Sequence, residues 1–359
     1  MEQNTEPDLK PANKKTIFLN IALIIFIFVG LFTYMIFVDG LDNILNLLTK
    51  VNYLYVLGGL FCLIMMWLFN GMCLHIPLKK LYPNQHFFNS LRVSMIGQLF
   101  NNITPFSSGG QPMQAYELTK TGKKASDSMS ALTIQFIVSQ IALILLTHVI
   151  ALFEFKFFIN LFKDFLFIAI LGFSVNIVLI IVVILAGINK KMITCFTTPF
   201  IKLLGKLRIV KKTDELIEKV DNSIQNFNNQ FKFMAKQKKT VIQIFILACI
   251  QNLFYYGITY MVYKAFGNSG INFLQIVPVQ AFLLLIMTVT PTPGAGIGAE
   301  GGFFILFSSI FKEGTINMSI LFWRIYTFYL PILIGALFLI PFKQKNIPKW
   351  SRPFGVLFI

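Results

Sequence analysis

The chain has 359 residues, of which 56% are hydrophobic types and only 13% charged, and it carries 40 phenylalanines. A soluble domain holds about 25% charged residues, so a water-soluble globule is excluded and lipid must solvate much of the surface. Thirty-one Lys and Arg stand against 15 Asp and Glu, a formal charge of +16. In a membrane chain that excess is first a record of topology, so nucleic acid is not expected as a partner.

Residues 1–16 are polar, contain Lys10, Lys14 and Lys15, and read as a cytoplasmic tail. The apolar run 17–38 is 22 residues long, longer than the core of a cleaved signal, about 7–15 residues, and long enough to cross the hydrocarbon, which takes about 20. It reads as a retained first span. Further uninterrupted spans fall at about 52–75, 128–153, 165–188, 240–266 and 317–341. Two more apolar stretches are broken. Residues 87–119 are interrupted by Asn101-Asn102-Ile103-Thr104-Pro105-Phe106-Ser107-Ser108-Gly109-Gly110-Gln111-Pro112, and residues 273–311 by Thr290-Pro291-Thr292-Pro293-Gly294-Ala295-Gly296-Ile297-Gly298.

The segments 1–16, 76–92, 113–126, 189–239 and 342–359 together hold 25 of the 31 basic residues. That distribution places both termini in the cytoplasm and is self-consistent only if each broken stretch returns to the side from which it entered. The fold expected is an all-α polytopic membrane protein with six full spans and two re-entrant helical hairpins; a hydropathy count would report seven or eight spans. Residues 17–341 then form one transmembrane domain, with 189–239 a cytoplasmic loop and 342–359 a cytoplasmic tail. The breaks also resemble each other: Thr104-Pro105 is followed by Gly110, and Thr290-Pro291 by Gly296, at the same offset. With opposite entry sides this is the pattern of an inverted-topology repeat. Within 189–239, Ile217, Val220, Ile224, Phe227, Phe231 and Met234 form one apolar helical stripe, suited either to the anionic inner leaflet or to the protein's own cytoplasmic face.

A helix broken at membrane depth frees backbone groups that lipid cannot satisfy, so the breaks must face protein or a polar cavity. Asn101, Asn102, Thr104, Ser107, Ser108, Gln111, Gln114, Thr288, Thr290 and Thr292 offer donors and acceptors there, while Pro105, Gly109, Gly110, Pro112, Pro291, Pro293, Gly294, Gly296 and Gly298 supply the backbone breaks. The half-helices beginning near Pro112 and Ala299 would aim positive N-termini at the cavity, where a phosphate is well received. Glu117, Glu300 and Arg324 are ionisable residues in apolar surroundings; a charge at the bilayer centre costs about 2.5–3.5 kcal/mol on insertion scales and marks function by default. Gly296-Ile297-Gly298-Ala299-Glu300-Gly301 matches a dinucleotide fingerprint in spelling, but membrane segments flank it where a βαβ unit is required. Cys62, Cys73, Cys195 and Cys249 form no CxxC pair, and His75, His86 and His148 no HExxH motif. No metal, cofactor or catalytic triad is expected.

Asn102-Ile103-Thr104-Pro105 with Gly109-Gly110-Gln111-Pro112, then Thr290-Pro291-Thr292-Pro293-Gly294-Ala295-Gly296 with Glu300-Gly301, then Arg324 with Pro331 and Gly335, resemble the lysylphosphatidylglycerol synthase transmembrane (flippase-like) family over roughly residues 15–340. The resemblance implies re-entrant helices around a headgroup cavity in a plasma-membrane protein. Its partner would be a membrane phospholipid, aminoacylated phosphatidylglycerol or a related lipid, moved between leaflets. Arg324 and the half-helix ends would take the phosphate, and Glu117 and Glu300 a cationic aminoacyl group. Full-length members also carry a C-terminal soluble transferase domain. Only 18 residues follow the last span here, so lysyltransferase activity is not expected of this chain by itself. Lysylphosphatidylglycerol synthesis with resistance to cationic peptides, and ion-coupled transport of a small solute or glycolipid, stand as alternatives. A separate lipid-modifying transferase and a homo-oligomer are left open as partners.

Overall fold

In the computed structural model, residues 51–162, 181–206, 213–312 and 314–339 are described, with a few isolated positions besides. Every regular element among them is helical. Helix α1 (Tyr53–Leu81) starts at Asn52, whose side chain accepts from the Leu54 amide, an N-cap that satisfies one of the orphan donors of the first turn. It is followed by α2 (Phe87–Ile103), α3 (Gly110–Lys120), α4 (Ala125–Phe153) and the short α5 (Phe155–Phe162). Beyond residue 180 come α6 (Lys190–Lys206), α7 (Thr213–Lys236), α8 (Lys238–Ala265), α9 (Phe273–Val289), α10 (Gly296–Phe307), α11 (Ile316–Arg324) and α12 (Leu330–Leu337).

Among the described residues, four helices are long and apolar enough to cross a membrane: Tyr53–Leu81, Ala125–Phe153, Lys238–Ala265 and Ile316–Leu337, the last of these α11 and α12 together. They coincide with the spans expected at 52–75, 128–153, 240–266 and 317–341. The span expected at 17–38 lies almost wholly outside the described residues, and of the one expected at 165–188 chiefly the end, the helix Ile181–Ile188, is described. Helix α1 shows why these segments are membrane helices. Leu54, Leu57, Phe61 and Ile64 are exposed at spacings of three and four, an apolar stripe suited to lipid. Its opposite face meets α8 closely, with Gly257 against the Cys62 sulfur and Gly58 against Met261. Small residues let helix backbones approach in a solvent that gives no hydrophobic drive to associate. The largest core cluster joins α1, α8, α9, α10 and α11, and its centre is aromatic: Phe303 stacks on Phe307 at 4.4 Å and packs on Trp323 at 5.1 Å.

Both broken stretches fold back on themselves. In the first, Gly97 of α2 lies so close to the Gln114 side chain of α3 that a Cβ would overlap it; in the second, Gly302 of α10 lies against Leu283 and Ile286 of α9. Each pair of half-helices is therefore a hairpin; the second tip buries Gly294 and Ala295, whereas Pro105, Phe106 and Ser107 of the first are exposed. Asn272 opens the second hairpin with a capping box to Gln275, and Gln280, fully buried in α9, accepts from Thr259 of α8 at 2.9 Å.

Helix α7 lies on the protein rather than away from it. Ile224, Phe231 and Met234 are buried, Ile217, Val220 and Phe227 half-buried, and Phe231 and Met234 share a core cluster with Ile134, Ile137 and Val138 of α4 and Ile244 of α8. Ser130 of α4 donates to the Phe227 carbonyl, and Asn228 donates to the carbonyls of Ala186 and Gly187.

Candidate functional site

The two hairpin tips have the same backbone. Thr104 is extended, Pro105 leads a 3-10 turn, Phe106 is left-handed (φ 54°, ψ 19°), and Ser107 is left-handed (φ 52°). Thr292 is extended, Pro293 leads a 3-10 turn, Gly294 is left-handed (φ 58°, ψ 17°), and Ala295 is left-handed (φ 51°). Phe106, Ser107 and Ala295 are the non-glycine residues with positive φ among the described residues, and each costs about 1–2 kcal/mol against a right-handed conformation. Such strain persists where surrounding contacts over-determine it, typically at functional sites. The structural match is therefore Thr104-Pro105 to Thr292-Pro293, two residues later than the pairing with Thr290-Pro291 expected from spelling. The glycine offset survives the shift, because Gly298 also follows Pro293 by five. The tips touch each other, the first also reaching α9 and the second α2.

In the first hairpin the half-helix starts at Gly110 rather than at Pro112. Its leading amides are already held: Gly109 donates to Thr104 Oγ1 and Gly110 to Asn101 Oδ1, both at 2.9 Å. The Thr104 hydroxyl itself donates to the Phe100 carbonyl. Asn102 has a buried amide nitrogen with no partner among the described residues. Ser107, Ser108, Pro105 and Pro112 are exposed, with Ser108 donating to the Pro105 carbonyl. Glu117, only 6% exposed, lies 3.6 Å from Arg92 and 3.2 Å from Lys120. Arg92 also donates to the Phe338 carbonyl. In the loop behind this hairpin, burial pulls the Lys123 ammonium down to about 8.

The second hairpin is pinned by Arg324, which is 3% exposed. Its Nε donates to Glu300 Oε1 at 3.2 Å, its Nη1 donates to the Gly294 carbonyl at 3.0 Å, and its guanidinium carbon lies 4.5 Å from the centre of the Phe328 ring. One side chain thus fixes the tip, the following half-helix and the last span. The span is irregular at this point. A π turn, Ile325–Tyr329, separates α11 from α12, with the Leu330 amide reaching the Ile325 carbonyl. Pro331 follows at once and has no N–H to return to the preceding turn; π turns recur at functional sites. Gly294 has no room for a side chain, since a Cβ would enter the Phe328 ring. Gly298 packs on Thr290, Gly296 faces Arg324, and Pro291 and Pro293 are exposed. Thr290 donates to the Ile286 carbonyl, whereas the buried Thr292 hydroxyl has no partner among the described residues. The run 296–301 opens α10 directly after a helical hairpin tip, so it lacks the strand a dinucleotide site requires.

Beside the first hairpin is a cavity of about 290 Å³. Ser94, Gln98 and Asn101 reach it from α2, Gln111 and Gln114 from α3, and Asn70 from α1. Gln135, Ser139 and Gln140 line it from α4, and Gln251 and Asn252 from α8; Leu132, Phe136 and Leu143 complete it. Nine of the 14 lining side chains are amides, and none is charged. Gln251 Oε1 and Ser139 Oγ are buried without a partner among the described residues. Dry, each such group would cost about 1–3 kcal/mol, so this space suits water or the hydroxyls of a ligand.

Of the residues expected at a cavity, Asn101, Gln111 and Gln114 line this one. Arg324, Glu300, Thr290 and Thr292 gather at the second tip, and Glu117 sits in its own ion-pair cluster. Sequence reasoning missed Asn70, Gln98, Gln135, Gln140, Gln251 and Asn252. A signal for them existed: Leu132, Gln135, Phe136, Ser139, Gln140 and Leu143 are spaced 3-1-3-1-3 inside an apolar span, which is one helical face carrying amides.

Residues 17–335 match the family described as the lysylphosphatidylglycerol synthase TM region. The chain belongs to that family. It is also similar to a protein of Archaeoglobus fulgidus described as a UPF0104 membrane protein, 19% identical over 300 residues that cover 81% of this chain and 88% of that one. Family and apolar helices together make this a multi-pass membrane protein.

Proposed function

We propose that this family member is a lipid translocase, moving a polar-headgroup lipid between leaflets of the plasma membrane. The observation that carries the reading is the meeting of two broken-helix tips beside a polar cavity. Irregular backbone at membrane depth is tolerated where it is buried in protein or lines such a cavity. Transporters built from repeats place broken helices at their substrate sites and work by rocking one repeat against the other. The headgroup would pass between the tips while the acyl tails stay in lipid. Arg324 would set the second tip and the last span as one body, because it bonds both. The basic residues put both termini in the cytoplasm under the positive-inside bias.

The test is the leaflet-resolved lipid profile of cells with and without the protein. Translocation changes the sidedness of one lipid class at constant total. A change in total amount of an aminoacyl lipid, made by the purified chain from lysyl-tRNA, would replace this reading with synthesis.

A further inference from the structure

We propose that the amide-lined cavity receives an uncharged, hydroxyl-rich headgroup, glycerol or a sugar, in preference to the ammonium of an aminoacyl lipid. The inference rests on the translocase reading and names the substrate class of its site. An amide side chain both donates and accepts, and so does a hydroxyl; an ammonium only donates and a phosphate only accepts. Nine amides and two serines around one space therefore match a ligand that presents both roles at many points. Gln251 Oε1 and Ser139 Oγ are the specific openings, buried and without a partner among the described residues. Leu132, Phe136 and Leu143 add an apolar strip that suits the C–H face of a sugar ring or glycerol. The volume, about 290 Å³, sits at the small end of ligand sites, which run about 300–1,000 Å³.

An aminoacyl headgroup fits less well for a reason of charge. A buried ammonium is costly unless it is paired, and neither intramembrane carboxylate lines the cavity. Glu117 is held by Arg92 and Lys120, and Glu300 by Arg324. To serve a ligand, each would have to abandon a cation already in place.

The experiment is calorimetric binding to the purified full chain in detergent. The probes are dioctanoyl glucosyl-diacylglycerol, dioctanoyl lysylphosphatidylglycerol and free glucose. The glucosyl lipid should bind tighter than the lysyl lipid by about tenfold, the worth of one or two buried hydrogen bonds. Gln251→Leu should weaken the glucosyl lipid by a similar factor. Gln251→Glu, which keeps the shape and adds a carboxylate, should shift preference toward the lysyl lipid. Tighter binding of the lysyl lipid by the parent protein, or unchanged glucosyl-lipid affinity in both variants, overturns the inference. Free glucose binding as tightly as the glucosyl lipid supports the headgroup chemistry but contradicts a lipid cargo. Glucosyl-lipid binding without any translocation upholds the inference and sinks the translocase reading, so the two fail separately.

Discussion

Arg324 carries a charge in the apolar interior because three partners share it. Glu300, the Gly294 carbonyl and the Phe328 ring come from three segments that would otherwise be independent. Removing one partner of a buried pair costs about 3–5 kcal/mol; since the Glu300 side chain is 31% exposed, the low end applies. Arg324→Ala should therefore lower thermal stability in detergent by about 3 kcal/mol. Arg324→Lys should recover little, because an ammonium lacks the planar fork that serves two acceptors at once. Glu300→Gln, which keeps an acceptor for Arg324, should cost less than either. A melting temperature for Arg324→Ala equal to that of the parent would remove Arg324 from this role. The identity of these residues was legible in the sequence, since a charge amid apolar neighbours stands out. Their partners were not. Glu117 and Glu300 look alike in sequence, yet one joins Arg92 of its own hairpin and the other the last span.

At the scale of elements, the broken stretches were legible because proline, glycine and amides interrupt apolar runs sharply. The register was not. Two Thr-Pro pairs follow each other at 290–293, and only the left-handed turn at Gly294 and Ala295 shows that the second pair is the counterpart of Thr104-Pro105. The cavity was less legible still. Its amides are spread over α1, α2, α3, α4 and α8, and each lies in a window whose average is apolar; only packing gathers them. Helix α7 shows a different limit. Its stripe was plain, but amphipathicity alone does not say which apolar surface the stripe meets. The structure places Met234, with no exposed surface, against α4 and α8. Met234→Ala should destabilise the protein in detergent by about 2–5 kcal/mol, the range for a buried large-to-small change. Lys232→Glu, on the exposed side, should leave stability in detergent unchanged. Equal melting temperatures for the Met234→Ala variant and the parent would return the stripe to the leaflet surface.

For the whole molecule, composition and the distribution of basic residues already dictate a polytopic helical protein, and the family match over residues 17–335 agrees. The structure adds an arrangement of parts: two hairpins with identical strained tips in contact, a cation tying the second tip to the last span, and an uncharged polar space beside the first. An arrangement of this kind has little use in a static scaffold. Strained turns, a π turn and unpartnered buried hydroxyls all cost stability; the strained turns and the Thr292 hydroxyl sit at the tips, and Ser139 lines the cavity. The most direct test of that account is a leaflet-exchange assay in proteoliposomes holding the purified chain and a fluorescent glycosyl or phosphatidylglycerol lipid, with and without an imposed proton gradient. The account predicts that the parent protein speeds exchange well above protein-free liposomes and that Arg324→Ala, at equal incorporation, slows it. Exchange no faster than in protein-free liposomes under either condition, for either lipid, would contradict it.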